Sequence, residues 1–189
     1  MNIDDLREKV KEKLSPKRFK HVLGVEEMCV ILAKKYGEDT NKARISALLH
    51  DYMKETNIEI LKNMCKDVPE IKGYETLLEI LHGFAGAMVA EKEFNITDKD
   101  ILNAIKYHTI GRENMSLLEK IVYIGDAIEM NRDYPHVDEI RNEVMRDLNS
   151  GIIMEVNRKT EYLKEKGGII HIDTIKMKDS LIREKEMRK

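Results

Sequence analysis

A chain of 189 residues suits one ordinary domain and can bury a sizeable core. Charged residues make up 36% and hydrophobic residues 42%, which excludes disorder, and a net charge of −2 gives no bulk attraction to nucleic acid or anionic membrane. No uncharged run approaches the ~20 residues of a membrane helix, the N-terminus lacks the apolar stretch of a secretion signal, and Cys29 and Cys65 have no paired spacing. A cytoplasmic protein with reduced thiols is expected.

The chain reads as helices separated by short breaks, an all-α single domain without repeat or linker. Residues 2–13 predict a charged leading helix. Ser15-Pro16 then reads as an N-cap with proline at the first helical position, and Gly37 as the stop; between them Val25, Met28 and Leu32 share a face. Asp39 or Thr40 caps the next helix, expected to run to about Tyr52, and a further one is placed at Ile58–Cys65, before Val68-Pro69. From Tyr74 to about Phe94 the pattern of Leu78, Ala85 and Val89 is helical. Thr97 is expected to open the next helix, with Ile101, Ala104 and Ile105 inward. Ser116 and Glu119 have capping-box spacing ahead of LLEKIVYIGDAIEM. After Tyr134-Pro135 one long helix is predicted from about Val137 to Lys164, then a Gly167-Gly168 break. The charged tail of about residues 165–189 is expected to be peripheral, helical or frayed from Lys176 onward.

Polar residues interrupt the apolar faces at particular points. His21 shares its face with Val25, Met28 and Leu32; His82 lies between Leu78 and Ala85; His108 extends Ile101, Ala104 and Ile105. Asp126 sits inside IVYIGDAI, and His50-Asp51 ends the apolar run ISALL. Any one of these alone is an ordinary hydrogen-bonded core residue. Burying all six without partners would cost several kcal/mol each, and a metal compensates them together, imidazole and carboxylate suiting iron, manganese or zinc. One ligand per helix implies an interior site assembled by a bundle. Successive helical residues point about 100° apart, so His50 and Asp51 reach different sides of a metal near a helix end, and the carboxylate can bridge two ions. His136, after Pro135, and His171, after the double glycine, read as solvated.

The ordered set His21, His50-Asp51, His82, His108, Asp126 resembles the HD-domain phosphohydrolases, in the variant with two extra histidines, and within them the YqeK family of symmetrical diadenosine tetraphosphate hydrolases. The resemblance runs from about Lys17 to Leu163 and is carried by HDYMKE (50–55), LHGFAGA (81–87), YHTIGRENMS (107–116) and YIGDAIEMNRDYPHV (123–137). Met130 departs from it, standing where proline is expected. The resemblance implies an HD-type helical fold and two metals, iron favoured over manganese or zinc. His21, His50, Asp51 and Asp126 would hold the first and His82 and His108 the second, with Asp51 bridging.

Two such metals can acidify a bridging water at neutral pH and clamp phosphate oxygens as charge develops. Lys54, one turn beyond Asp51, and Arg132, six residues beyond Asp126, are expected to complete the clamp. Thr109, Gly111 and Arg112, after His108, are expected as a loop over the substrate. The implied reaction is hydrolysis of diadenosine tetraphosphate into two ADP. A nucleotidase acting on mononucleotides and a non-catalytic nucleotide-polyphosphate sensor are the alternatives, and di-iron HD proteins that oxidise substrates share the ligand count. A dinucleoside polyphosphate is the expected partner, with no nucleic acid and no membrane; a homodimer is left open.

Overall fold

The computed structural model describes residues 2–75 and 77–187, with the side chain of Leu78 outside that description. Among the described residues there are ten α-helices, one 3₁₀ turn at Pro69–Ile71 and no strand, the all-α single domain that the sequence predicts. None of the helices is long and apolar enough to cross a membrane.

Side-chain caps set most of the helix starts. Asn2 opens α1 (Ile3–Lys13) by accepting from the Asp4 amide. Ser15 caps α2 (Pro16–Tyr36), which ends at left-handed Gly37. Asp39, not Thr40, caps α3 (Thr40–Leu49), accepting from the amides of Asn41 and Lys42. α4 spans Ile58–Cys65 as predicted. α5 covers Leu78–Glu93 and α6 Lys99–Tyr107. The Ser116–Glu119 capping box opens α7 (Leu117–Ile128) with both reciprocal bonds present. α8 (Val137–Arg146), α9 (Leu148–Glu165) and α10 (Ile172–Glu186) complete the chain.

Five boundaries or environments differ from the sequence expectation, each for a local reason. α3 stops at Leu49 rather than Tyr52, because three-residue turns take over: the Tyr52 amide donates to Leu49 and the Lys54 amide to Asp51. α5 begins at Leu78 rather than Tyr74, the preceding stretch being occupied by the 3₁₀ turn and by Gly73 at positive φ. α6 begins at Lys99 because Asp98, and not Thr97, supplies the cap. The single helix expected over Val137–Lys164 is two, broken at extended Asp147, whose carboxylate caps α9 by accepting from Ser150. His171 is buried rather than solvated, 4% exposed, with Nδ1 accepting from the Asp173 amide at the start of α10 and its ring 4.0 Å from that of Tyr74. His136 is exposed, as expected.

The stretch expected as a peripheral tail forms α10, charged outward, whose inward Met177 and Leu181 are fully buried. Each such burial is worth roughly 1.5–3 kcal/mol. At Met130, exposed in the turn after α7, Glu129 keeps the extended conformation (φ −53°, ψ 157°) that precedes a proline. The backbone before Met130 is therefore compatible with the proline that the resemblance leads one to expect there.

α2 packs on α3 and α7, and α6 lies between α5 and α7. Two apolar cores result. The larger joins α1, α2, α3, α6 and α7 with residues of α8 to α10; the smaller gathers Met53, Leu61, Cys65, Phe84, Val89 and Ile110. The 50–55 turn passes from Leu48 and Leu49 in the first core to Met53 in the second. At that crossing the apolar packing is interrupted.

Candidate metal centre and active site

The six predicted ligands come together at this interruption. His21 projects from α2, His50 ends α3, Asp51 follows in the turn, His82 lies on α5, His108 ends α6 and Asp126 lies on α7. Gly83 makes the α5–α6 approach close enough: a Cβ built there would stand 2.8 Å from the Lys106 carbonyl oxygen and 3.4 Å from the His108 ring. His82 and His108 accordingly face each other with Nε2 atoms 3.0 Å apart.

Each imidazole orientation has a cause. His50 donates through Nδ1 to the Ala47 carbonyl at 2.5 Å, and His108 through Nδ1 to the Ile105 carbonyl at 2.7 Å. His21 directs Nδ1 to the Glu129 carboxylate at 3.1 Å. His50 and His108 therefore turn an Nε2 lone pair inward, the arrangement in which outer hydrogen bonds fix the tautomer of a metal-ligating histidine, and His21 turns its Nε2 to Asp126 Oδ1. His50 Nε2 is buried without a hydrogen-bond partner, an expensive state unless a cation meets it.

Asp51 is 3% exposed and its two oxygens face different histidines. Oδ2 lies 3.7 Å from His21 Nε2 and 3.5 Å from His50 Nε2; Oδ1 lies 3.1 Å from His82 Nε2 and 3.8 Å from His108 Nε2. Asp126 Oδ1 stands 3.0 Å from His21 Nε2 and 3.9 Å from His50 Nε2. Donor atoms of His21, His50 and Asp126 lie within 4.8 Å of one another, as do those of His50, Asp51 and His108. Neutral nitrogen and carboxylate oxygen at these spacings fit divalent transition metals.

The electrostatics suit the same purpose. Burial alone would raise the Asp51 carboxyl, but His50 and the hydrogen bond from His82 hold it well below the usual carboxylate range. Burial is opposed in the same way at Asp126, by His21, His50 and Arg132, and it too is held well below that range. Burial, with His82 and His50 close by, pushes His108 well below the ordinary imidazole value, and burial lowers His50. At His21 burial is outweighed by Asp126 and Glu129, which raise it above the ordinary imidazole value. Anionic carboxylates and neutral imidazoles are the ligating forms, so a bound cation would displace the His21 proton.

Of the expected phosphate contacts, Arg132 is at the centre: Nη2 is 2.6 Å from Asp126 Oδ1 and 3.4 Å from His21 Nε2, and Nε donates to the Asp126 carbonyl. Lys54 is half-buried and its side chain makes no hydrogen bond or ion pair among the described residues. Thr109 touches the centre, with Oγ1 3.1 Å from His108 Nε2. Gly111 and Arg112 are engaged elsewhere. Gly111 (φ 67°) lies where a Cβ would stand 2.0 Å from Met177 Sδ, and Arg112 grips buried Glu119 at 2.6 and 2.9 Å.

Three neighbours were not legible in the sequence. Arg18 donates to Asp51 Oδ2 at 2.9 Å. Glu129 orients His21, although it stands in the motif that carries Asp126. Lys159, on α9, donates to the Thr109 carbonyl at 2.9 Å. Arg18 is one turn before His21, a spacing that could have found it; Lys159 lies in the charged run NRKTEYLKEK and carries no such signal.

Two recesses adjoin the centre. One, of about 620 Å³, is polar and basic, with Lys17, Arg18, Lys20 and Arg132 around His21. Its two carboxylates are already engaged, Glu55 by Ser15 and Glu129 by His21 and Asn131. The other, of about 310 Å³, is mainly apolar and contains none of the six clustered residues; Thr109, which contacts His108, links it to the centre.

The HD-domain family model matches residues 18–131, which contain all six clustered residues. The chain is 36% identical, over 98% of its length and the whole of the relative, to a symmetrical bis(5'-nucleosyl)-tetraphosphatase of Halalkalibacterium halodurans. It is 37% identical to the protein of the same name from Bacillus subtilis, covering 92% of this chain and 94% of that one. Among solved structures, a predicted HD superfamily hydrolase of Clostridium acetobutylicum, described as involved in NAD metabolism, matches with a TM-score of 0.89. That pair shares 40% identity over 97% of this chain and 98% of the other. Fold, ordered histidines and full-length similarity agree: this chain belongs to the HD-domain hydrolases, in the YqeK-type branch of symmetrical bis(5'-nucleosyl)-tetraphosphatases.

Proposed function

We propose that the chain is a metal-dependent hydrolase that cuts diadenosine tetraphosphate at its middle into two ADP. The observation that carries the metal assignment is the division of Asp51, one oxygen toward His21 and His50 and the other toward His82 and His108. His21, His50, Asp51 and Asp126 would hold one ion and His82 and His108 the other, with Asp51 between them and iron favoured. The names of the full-length relatives support the substrate. The compartment proposed for this reaction is the cytoplasm.

When bound, the metals supply a water acidified enough to act near neutral pH and neutralise phosphate charge. The protein supplies position. Arg132 and Arg18 enter the basic recess beside His21 and hold the polyphosphate in register; Lys54, outside that recess and close enough to act on Lys159, adds a further cation. Preorganised cations of this kind lower the barrier as charge builds on the transferred phosphoryl oxygens. Water attacks the second phosphorus, counted from one nucleoside, in line with the bridging oxygen. The water oxygen ends on the first ADP, and the breaking P–O bond leaves its electron pair on the second. That diphosphate is a stable anion, so no strong acid need protonate it.

Chromatography of early time points with iron-loaded protein tests the reading. ADP should be the only nucleotide product. Equal AMP and ATP would overturn symmetrical cleavage, release of inorganic phosphate from mononucleotides alone would point to a nucleotidase, and binding without turnover to a sensor.

A further inference from the structure

The two recesses beside the centre are unlike, although the proposed substrate is symmetrical. The histidines form a row in which His21 neighbours His50, His50 neighbours His108 and His108 neighbours His82, with ring centroids 4.9 to 5.6 Å apart. The basic recess opens at the His21 end. The apolar one opens beside His108, because Thr109 lines it while its Oγ1 contacts His108 Nε2.

We propose that this apolar recess, between α5, the loop after His108, α9 and the turn before α10, is the binding site for one nucleoside of the substrate. Lys159 stands on its inner wall to meet the first phosphates. The assignment rests on the tetraphosphatase reading and names which half of the molecule goes where.

The volume and lining fit a nucleoside. At about 310 Å³ the recess lies in the range of small-ligand sites, ~300–1,000 Å³, which are apolar with a few placed polar groups. Ile80, Ile110, Leu163 and Ile170 provide apolar walls for a base, and Thr160 and Thr174 are among its polar members. The Thr174 hydroxyl already donates to the Ile110 carbonyl, which fixes one wall. At the rim the Gly167-Gly168 turn presents Ile169 with 61% of its surface exposed, where a bound base can cover it.

Lys159 links the recess to the chemistry. Its ammonium donates to a carbonyl, not to a carboxylate, because neighbouring Glu155 is taken by Arg158 at 2.8 and 2.9 Å. Glu155, Asp126, Arg158 and Lys54 all act on it electrostatically, so it shares the field of the metal cluster. A cation in that position, with no carboxylate hydrogen-bonded to it, is matched by an anion bridging recess and cluster. The phosphate next to the bound nucleoside is such an anion. The other half of the substrate then extends along Arg18 and Arg132 and requires no second apolar pocket.

The chain contains no tryptophan, so Ile169→Trp places a single reporter at the rim of the full-length, metal-loaded protein. Adding ADP should change its emission, whereas inorganic pyrophosphate should not. Separately, Thr160→Phe fills the recess from α9. Loss of one stacked or buried base is worth roughly a 10- to 100-fold rise in KM for diadenosine tetraphosphate, with a smaller change in kcat and unaltered metal content. An unresponsive reporter together with an unchanged KM in the filled variant overturns the nucleoside site. A wild-type protein that leaves diadenosine tetraphosphate intact while ADP still changes the reporter overturns the tetraphosphatase reading and supports the pocket.

Discussion

Two of the buried carboxylates of this bundle, Glu26 and Asp51, have surroundings that differ in kind. Glu26, 4% exposed on α2, receives Arg7 through Nε at 3.0 Å and Nη2 at 2.6 Å, and Arg44 at 2.9 Å. That cluster closes on itself: two guanidinium groups meet both oxygens. Asp51, 3% exposed, receives one guanidinium from Arg18 and is otherwise ringed by imidazoles, one of which ends in a buried nitrogen without a partner. The first arrangement holds α1, α2 and α3 together; the second leaves coordination for something the chain does not itself provide. Burial of charge alone does not separate structure from function, whereas unspent hydrogen-bonding and ligating capacity does.

The contrast can be broken at either cluster. The largest effect is expected at Asp51→Ala, which removes the group between the proposed metal positions. Elemental analysis should find both ions lost and hydrolysis reduced by more than about 1,000-fold, while His82→Ala should mainly empty one position. Full metal retention in Asp51→Ala would refute the bridging role. Arg132→Gln and Lys54→Gln come next. Turnover should fall about 30- to 1000-fold, equivalent to roughly 2–4 kcal/mol, with metal content and helicity intact; wild-type rates would return both residues to the solvated surface.

At the closed cluster Glu26→Gln should act on stability instead. Removing one partner of a fully buried pair costs about 3–5 kcal/mol. Arg7 and Arg44 keep access to water, which reduces the expected loss to about 2–3 kcal/mol. A lowered urea midpoint with normal turnover per folded molecule is the expected result, and a loss of turnover beyond the folded fraction would contradict the separation. The smallest effect concerns His171. Burial holds this imidazole below its ordinary value, so as pH falls the unfolded chain takes up the proton first. Its contribution is complete above the ordinary imidazole range, near pH ~6.5, and is lost below it. His171→Asn keeps a capping side chain and should flatten that part of the stability–pH curve, as urea titrations at several pH values would show.

The same contrast explains what the sequence disclosed. His21, His82 and His108 stood out because each interrupts a face that is otherwise apolar, and Asp126 because the stretch IVYIGDAI around it is otherwise uncharged. Glu26 escaped notice because its partners, Arg7 and Arg44, lie 19 and 18 residues away. Lys159 escaped for the same reason: its role depends on a loop 50 residues earlier, and long-range placement leaves no mark on periodicity. The break between α8 and α9 was legible in principle, since Asp147 three residues before Ser150 is a cap, but the amphipathic period runs through it. The burial of His171 follows from α10 packing, which the charges of the C-terminal region conceal.

The grip of α10 on the loop after His108 has a consequence for how the protein is made. Met177 fills the space that Gly111 leaves, Ser180 accepts from the Asn114 amide, and Arg183 pairs with Glu113. During translation, at about 5–20 residues per second, the helices that carry all six clustered residues emerge on the order of ten seconds before Arg183. For that interval the loop after His108 is unlatched, and the recess beside it takes shape only once α10 has been synthesised and packed.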